Sequence, residues 1–278
     1  MNTVKIAIGN QMVADNLDTL DRFKLAKAAG FQGVEIWLGT PDANMETSDD
    51  ELKRLADEIG EAGLECSSVA STLGWGDPIT SLDDTVFQRA LAVGRRQLEC
   101  AQILGTDAVL IVTGRVLPEA PYRQAWNRMV GGFQELCLFA ADRGVRIGAE
   151  TCPKLSKNLM TPGECLLFVD AVDHPAIGIY VDTANVTYSG YAQDFINDVG
   201  DRVVRIHGKD FTPPDERGAY RATYPGAGTC EWPPIAQACK NVGYDSWVVL
   251  EFGPGPDETK GLDLLQKAFA STDAIFTG

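Results

Sequence analysis

Val145-Arg-Ile-Gly-Ala-Glu-Thr151 is a short β-type run, entered through Asp142-Arg-Gly144 and ending on an acid, Glu150. Three later stretches repeat the pattern. Ile177-Gly-Ile-Tyr-Val-Asp182 ends on an aspartate, Val203-Val-Arg-Ile-His207 on a histidine and Trp247-Val-Val-Leu-Glu251 on a glutamate. A lone strand finishing on such a residue is more often a salt-bridge partner than a ligand. Four in succession imply one site assembled from four strand tips.

The same alternation of strand and helix extends outward from this stretch to both ends of the chain. Lys5 to Gly9, Gly33 to Trp37, Leu64 to Ala70 and Ala108 to Val112 read as four earlier strands. Between them, apolar residues recur at helical spacing over Asp18–Ala29, over the segment opened by the capping box Ser48-Asp-Asp-Glu51, and over Leu82–Leu104, with glycine at the stops. Tyr122–Arg143 precedes the fifth strand, and a helix with proline in its first turn starts at Thr161. Tyr191–Val199, Trp232–Val242 and Leu262–Phe276 supply the last helices. Eight strand–helix pairs without a composition break predict an α/β protein, a (β/α)8 TIM barrel occupying residues 1–278 as one domain. The alternative, a doubly wound open sheet, usually carries a glycine-rich phosphate fingerprint after its first strand. Gly9-Asn-Gln-Met12 is not one.

The composition narrows the partners. A formal charge of −15 and a sequence pI near 4.5 argue against nucleic acid or an anionic membrane. Seven cysteines without a Cys-x-x-Cys pair point to a reducing compartment. The start, Met1-Asn-Thr-Val-Lys-Ile-Ala-Ile8, reads as a strand rather than a signal peptide, and no apolar run has bilayer-spanning length. A cytoplasmic protein is expected. Cys152 follows Glu150 closely, but a thiol nucleophile needs a neighbouring base, and only His174 and His207 exist.

In a barrel, chemistry sits at the carboxyl ends of the strands. Glu150, Asp182, His207 and Glu251 then fall on adjacent tips around half the rim. Three carboxylates and an imidazole suit a hard divalent ion, with manganese the first choice and magnesium, cobalt or iron alternatives. Trp37, Trp75 and Phe252 lie at or just beyond strand ends, where they could wall a sugar ring.

Together, Ile147-Gly-Ala-Glu150, Val181-Asp-Thr-Ala-Asn185, Ile206-His-Gly-Lys-Asp210, Val249-Leu-Glu-Phe252, Gly33-Val-Glu-Ile36 and Tyr224-Pro-Gly-Ala-Gly228 resemble the xylose isomerase-like barrels. The likeness is to their sugar phosphate isomerase/epimerase branch, which includes ketose 3-epimerases and inosose isomerases, and it runs the whole length. It implies one divalent metal held by Glu150, Asp182, His207 and Glu251. It also implies that Glu150 and Glu251 act as acid and base on opposite faces of a substrate. Glu35 matches a substrate-hydroxyl contact and Arg221 an arginine that orients metal and sugar. Asn185 stands where several ketose epimerases carry a substrate-contacting histidine; it cannot carry charge at neutral pH. Relatives of this kind form dimers and tetramers, so a homo-oligomer is within expectation.

The expected activity is isomerisation or epimerisation of a keto-sugar or cyclic polyol ketone, by proton transfer next to a carbonyl through a metal-stabilised enediolate. A lyase using the same chemistry, either an inosose-type dehydratase or a 3-keto-glycoside-cleaving enzyme, is the alternative. A non-catalytic sugar-binding subunit is the third reading. The DNA-repair branch needs many histidines, whereas this chain has two. Lys209, Lys154 and Arg115 could meet a phosphate, but no glycine-rich cradle accompanies them, so an unphosphorylated sugar is the expected substrate.

Overall fold

The computed structural model describes residues 4–14, 16–255 and 258–277. Its elements in chain order are β1 Lys5–Gly9, α1 Thr19–Ala29, β2 Gly33–Leu38, α2 Asp49–Glu61, β3 Glu65–Ser71, α3 Asp84–Leu104, β4 Ala108–Val112, α4 Tyr122–Ala141 and β5 Arg146–Glu150. Then come α5 Pro153–Ser156, α6 Pro162–Val172, β6 Ile177–Asp182, α7 Ala192–Val199, β7 Val203–Gly208, β8 Asp210–Phe211, β9 Ala222–Thr223, α8 Trp232–Asn241, β10 Trp247–Leu250 and α9 Leu262–Thr277. Eight parallel strands close into a barrel in the order β1-β10-β7-β6-β5-β4-β3-β2, with β8 and β9 forming a separate antiparallel pair. The barrel expected from the sequence is therefore the observed fold.

The helix boundaries follow the local chemistry. Ser48 Oγ accepts from Glu51 N while the Glu51 carboxylate accepts from Ser48 N, completing the capping box of α2. Such a cap contributes about 1 kcal/mol. Gly30 and Gly105 close α1 and α3 in the left-handed region. Outside the barrel, Phe133 of α4 meets Phe168 of α6 edge-to-face at 5.1 Å, an arrangement worth about 0.5–1.5 kcal/mol beyond the area it buries. Among the described residues no helix is long and apolar enough to cross a membrane.

Strand register decides what faces inward. Register partners share a face, as do residues two apart on one strand. Glu150 is level with Tyr180, Asp182 with His207, and His207 with Val249. Tyr180 and Asp182 are two apart, as are Val249 and Glu251. Glu150, Asp182, His207 and Glu251 thus all point to one side of the wall. Tyr180 and Val249 pack there with Ala7, Trp37, Ala70, Leu110, Val112 and Trp247, so that side is the barrel interior. Gly148, two below Glu150, makes room in this layer: a Cβ there would lie 2.9 Å from Tyr180 Cβ.

Candidate metal centre

Each of the four strand-tip residues is fixed by its surroundings. Asp182 is the last residue of β6, and its Oδ1 accepts from the backbone N–H groups of Ala184 (3.0 Å) and Asn185 (2.8 Å). That leaves Oδ2 turned the other way, buried and without a directed hydrogen bond. His207 Nε2 faces Glu35 Oε2 at 3.0 Å, and a carboxylate there requires the imidazole to donate from Nε2. Nδ1 is then the available nitrogen, also buried and without a hydrogen-bond partner. It lies 3.2 Å from Glu251 Oε2, 3.8 Å from Asp182 Oδ2 and 4.0 Å from Glu150 Oε1. Glu251, one residue beyond β10, turns Oε2 to the same point.

One donor atom from each of Glu150, Asp182, His207 and Glu251 lies within 4.8 Å of the others. Like charges held this close disfavour one another. Three carboxylates and an imidazole converging from four strand ends is the arrangement that a divalent cation satisfies. The donor set of three carboxylates and one imidazole has the hardness for such an ion.

The electrostatics are those of crowded carboxylates. Burial pushes the Glu150 carboxyl up to about 8, and the Glu251 charge adds to it. Burial would raise Glu251 too, but the Lys209 ammonium and His207 hold it below the ordinary carboxylate range. Burial would depress His207, yet the Glu35 and Glu251 carboxylates hold it well above the usual imidazole value. Cys152 is buried, and its thiol is pushed up first by that burial and further by Glu150 and Asp182. A thiolate nucleophile has no support there.

Other residues singled out from the sequence fall in three places. Lys209 is in the centre, with its Nζ 2.8 Å from Asp182 Oδ2 and 2.7 Å from Glu251 Oε2. Trp37 stacks on the His207 ring at 6.0 Å and 13°, with its indole N–H unpartnered. Asn185 enters through its backbone, as the second donor to Asp182. By contrast, Arg221 is exposed beside β9, where its main chain pairs with Thr212, and no hydrogen bond or ion pair joins it to the four ligands. Phe252 is buried against Tyr224, whereas Trp75 is only partly buried over the interior layer. His174 lies before β6, where Nδ1 accepts from Ala176 N.

Glu35 is the clearest departure. Its expected place was beside a substrate hydroxyl, but the carboxylate is fully buried in the barrel interior. Oε1 accepts from Ser68 Oγ and Tyr180 Oη, both at 2.7 Å, and Oε2 faces His207. The physical reason is register: Glu35 is level with Gly9 and Ser68, two residues below Trp37.

Asp210 was missed by the sequence reading. Its buried carboxylate accepts from the backbone N–H groups of Phe211, Gly226, Gly228 and Cys230 and from Trp232 Nε1. It thereby ties the Pro-Gly-Ala-Gly loop to the residue after Lys209. A Cβ on Gly228 would come within 2.3 Å of Asp210 Oδ1, which is the packing reason for that glycine. Also unforeseen is a cluster of Tyr188, Phe211 and Tyr220, with centroids 5.9–6.1 Å apart, on the segments that follow β6 and β7.

A parallel eight-stranded barrel with its candidate ligands on four adjacent carboxyl-end tips belongs among the TIM barrels whose chemistry gathers on that rim. The chain is a member of the xylose isomerase-like TIM barrel family, whose model matches residues 23–268. It is 21% identical over 266 residues to L-ribulose-5-phosphate 3-epimerase UlaE of Salmonella paratyphi B, covering 92% of each chain. Its fold is similar to that of an L-ribulose 3-epimerase, with TM-score 0.81, 19% identity and coverage of 99% of this chain and 95% of that one. It is also similar to the 3-keto-D-glucoside 4-epimerase YcjR of E. coli, with TM-score 0.77, 18% identity and coverage of 99% and 100%.

Proposed function

We propose that the protein is a divalent-metal-dependent isomerase or epimerase of a keto-sugar or cyclic polyol ketone. The observation that carries this reading is the convergence of one donor atom from each of Glu150, Asp182, His207 and Glu251 within 4.8 Å of one another. Epimerases among the proteins it is similar to support the reaction class. Glu150, Asp182, His207 and Glu251 would hold the ion. A divalent cation there supplies Lewis-acid polarisation of a carbonyl and its adjacent hydroxyl. Manganese is the ion we favour, on the mixed oxygen and nitrogen donors.

The chain's own work is proton transfer and exclusion of water. Glu150 and Glu251 sit on the first and last of the four ligand strands. One takes the proton from the carbon next to the carbonyl, and the other delivers a proton to the opposite face, inverting the centre. A reversible epimerisation requires each to serve as acid in one direction and base in the other. Trp37, Tyr180 and Val112 keep the floor of the site apolar. The free sugar is favoured over a sugar phosphate because no glycine-rich cradle accompanies Lys209, Lys154 or Arg115. Lys209 pairs with Asp182 and Glu251, Lys154 Nζ donates to Tyr188 Oη, and Arg115 Nη2 donates to the Trp75 carbonyl.

The direct test is turnover in deuterium oxide across a panel of ketoses, ketose phosphates and 3-keto-glycosides, using metal-loaded protein. Solvent deuterium is expected at the carbon next to the carbonyl of at least one free keto-sugar. Absence of exchange across the whole panel would refute the assignment, and an unsaturated product or released aglycone would select the lyase instead.

We further assign Glu35 a positioning role: it fixes the His207 tautomer from beneath. Such outer partners tune metal affinity by about 10–100-fold. Glu35→Ala is expected to weaken manganese binding by that factor in a calorimetric titration. Glu35→Gln, whose amide oxygen can still accept from Nε2, should recover part of the loss. Unchanged affinity in Glu35→Ala would remove the role.

A further inference from the structure

Lys209 is superfluous to a four-ligand centre, yet it is built into it. Its main chain is locked to the end of β6: Lys209 N donates to Thr183 Oγ1 at 3.1 Å, and Thr183 Oγ1 donates to the Lys209 carbonyl at 2.6 Å. The side chain is 9% exposed, and its ammonium lies 2.8 Å from Asp182 Oδ2 and 2.7 Å from Glu251 Oε2. Both distances are those of charge-assisted contacts. The ammonium therefore occupies one oxygen of each carboxylate that an ion would use.

We propose that Lys209 is a resident counter-cation that binds the Asp182 and Glu251 carboxylates together and is displaced when a divalent ion enters, so that metal binding is a cation exchange. This rests on the metal-site reading above. Two buried carboxylates and a third that is partly exposed repel one another, and a fixed positive charge among them keeps the ligand strands at their spacing until an ion arrives. Lysine suits the task better than arginine. Its ammonium is a compact point charge on a flexible stem, whereas a guanidinium fork would grip a carboxylate in two directed bonds. Because Thr183 anchors the backbone, the stem can swing without moving β7.

The test is manganese titration of metal-stripped wild type and Lys209→Met by competition with a chelator, at one pH and ionic strength. Removing the competing cation should tighten binding by about tenfold, which corresponds to about 1.4 kcal/mol. Metal-free Lys209→Met should also melt at a lower temperature than metal-free wild type, with the gap closing on saturation with manganese. Equal or weaker manganese binding by folded Lys209→Met overturns the exchange while leaving the metal site standing. Failure of wild type itself to bind manganese, cobalt or magnesium overturns both. Should Lys209→Met not fold, acetylation of wild type with an amine-reactive ester, mapped by mass spectrometry, supplies the readout. Faster labelling of Lys209 with manganese bound supports displacement, and equal protection in both states refutes it.

Discussion

Glu150→Gln is expected to lower kcat by about 10²–10⁴-fold, the contribution of a positioned acid or base, in a protein that remains folded. Glutamine keeps the shape of the side chain and an oxygen that can face a cation, but it can neither accept nor release the proton. Glu150 is buried at the tip of β5, within the cluster that faces Glu251, Asp182 and His207. Glu251→Gln should cost a similar factor and in addition lose the charge that faces Lys209. The double variant should be little worse than either single one, because removing one end of a two-group relay already stops turnover. Steady-state kinetics beside elemental analysis separates the effects: lost rate with retained metal is the expected pattern for Glu150→Gln. Retained rate would take Glu150 out of the chemistry.

His207→Ala and Asp182→Asn should abolish metal retention through gel filtration, with affinity falling by more than the about 100-fold upper range for an outer-shell partner. His174→Ala, altered on the far side of β6 from the site, is the control and should keep its metal. His207→Ala removes the inward nitrogen and Asp182→Asn removes the charge of an inward carboxylate, each one donor of the four-residue cluster. Proton competition gives the sign of the pH dependence. Ligands bind metal only when deprotonated. Glu150 sits at about 8 and His207 is held well above the usual imidazole value. Metal affinity should therefore climb as pH rises toward 8, by up to about tenfold per unit for each proton displaced. Affinity that is flat with pH, or metal content equal in all three variants, would contradict the ligand assignment.

The fold was legible because its signals are periodic and repeated. Strand tips at Glu150, Asp182, His207 and Glu251 share one local pattern, and the closed barrel brings all four together. What was not legible depends on register. Glu35 announces itself as a charge in Gly33-Val-Glu-Ile-Trp-Leu38, a strand buried throughout. Whether it reaches a substrate or the underside of His207 turns on a two-residue offset across three strands, which one sequence does not encode visibly. Asp210 escaped notice because β8 and β9 have two residues each, too short for any period. Arg221 depended on a spacing from the Pro-Gly-Ala-Gly loop, and the structure sets it on an exposed edge instead.

The placement of the ligands on β5, β6, β7 and β10 has a last consequence. These are consecutive staves, so the other four contribute no inward donor to the metal cluster. The barrel mouth is thus divided into an arc that carries the donors and an arc that supports them, through Glu35 beneath His207 and Trp37 stacked on its ring. Loops on the two arcs are therefore unequal: one set is rooted on the donors themselves, the other on residues that position them.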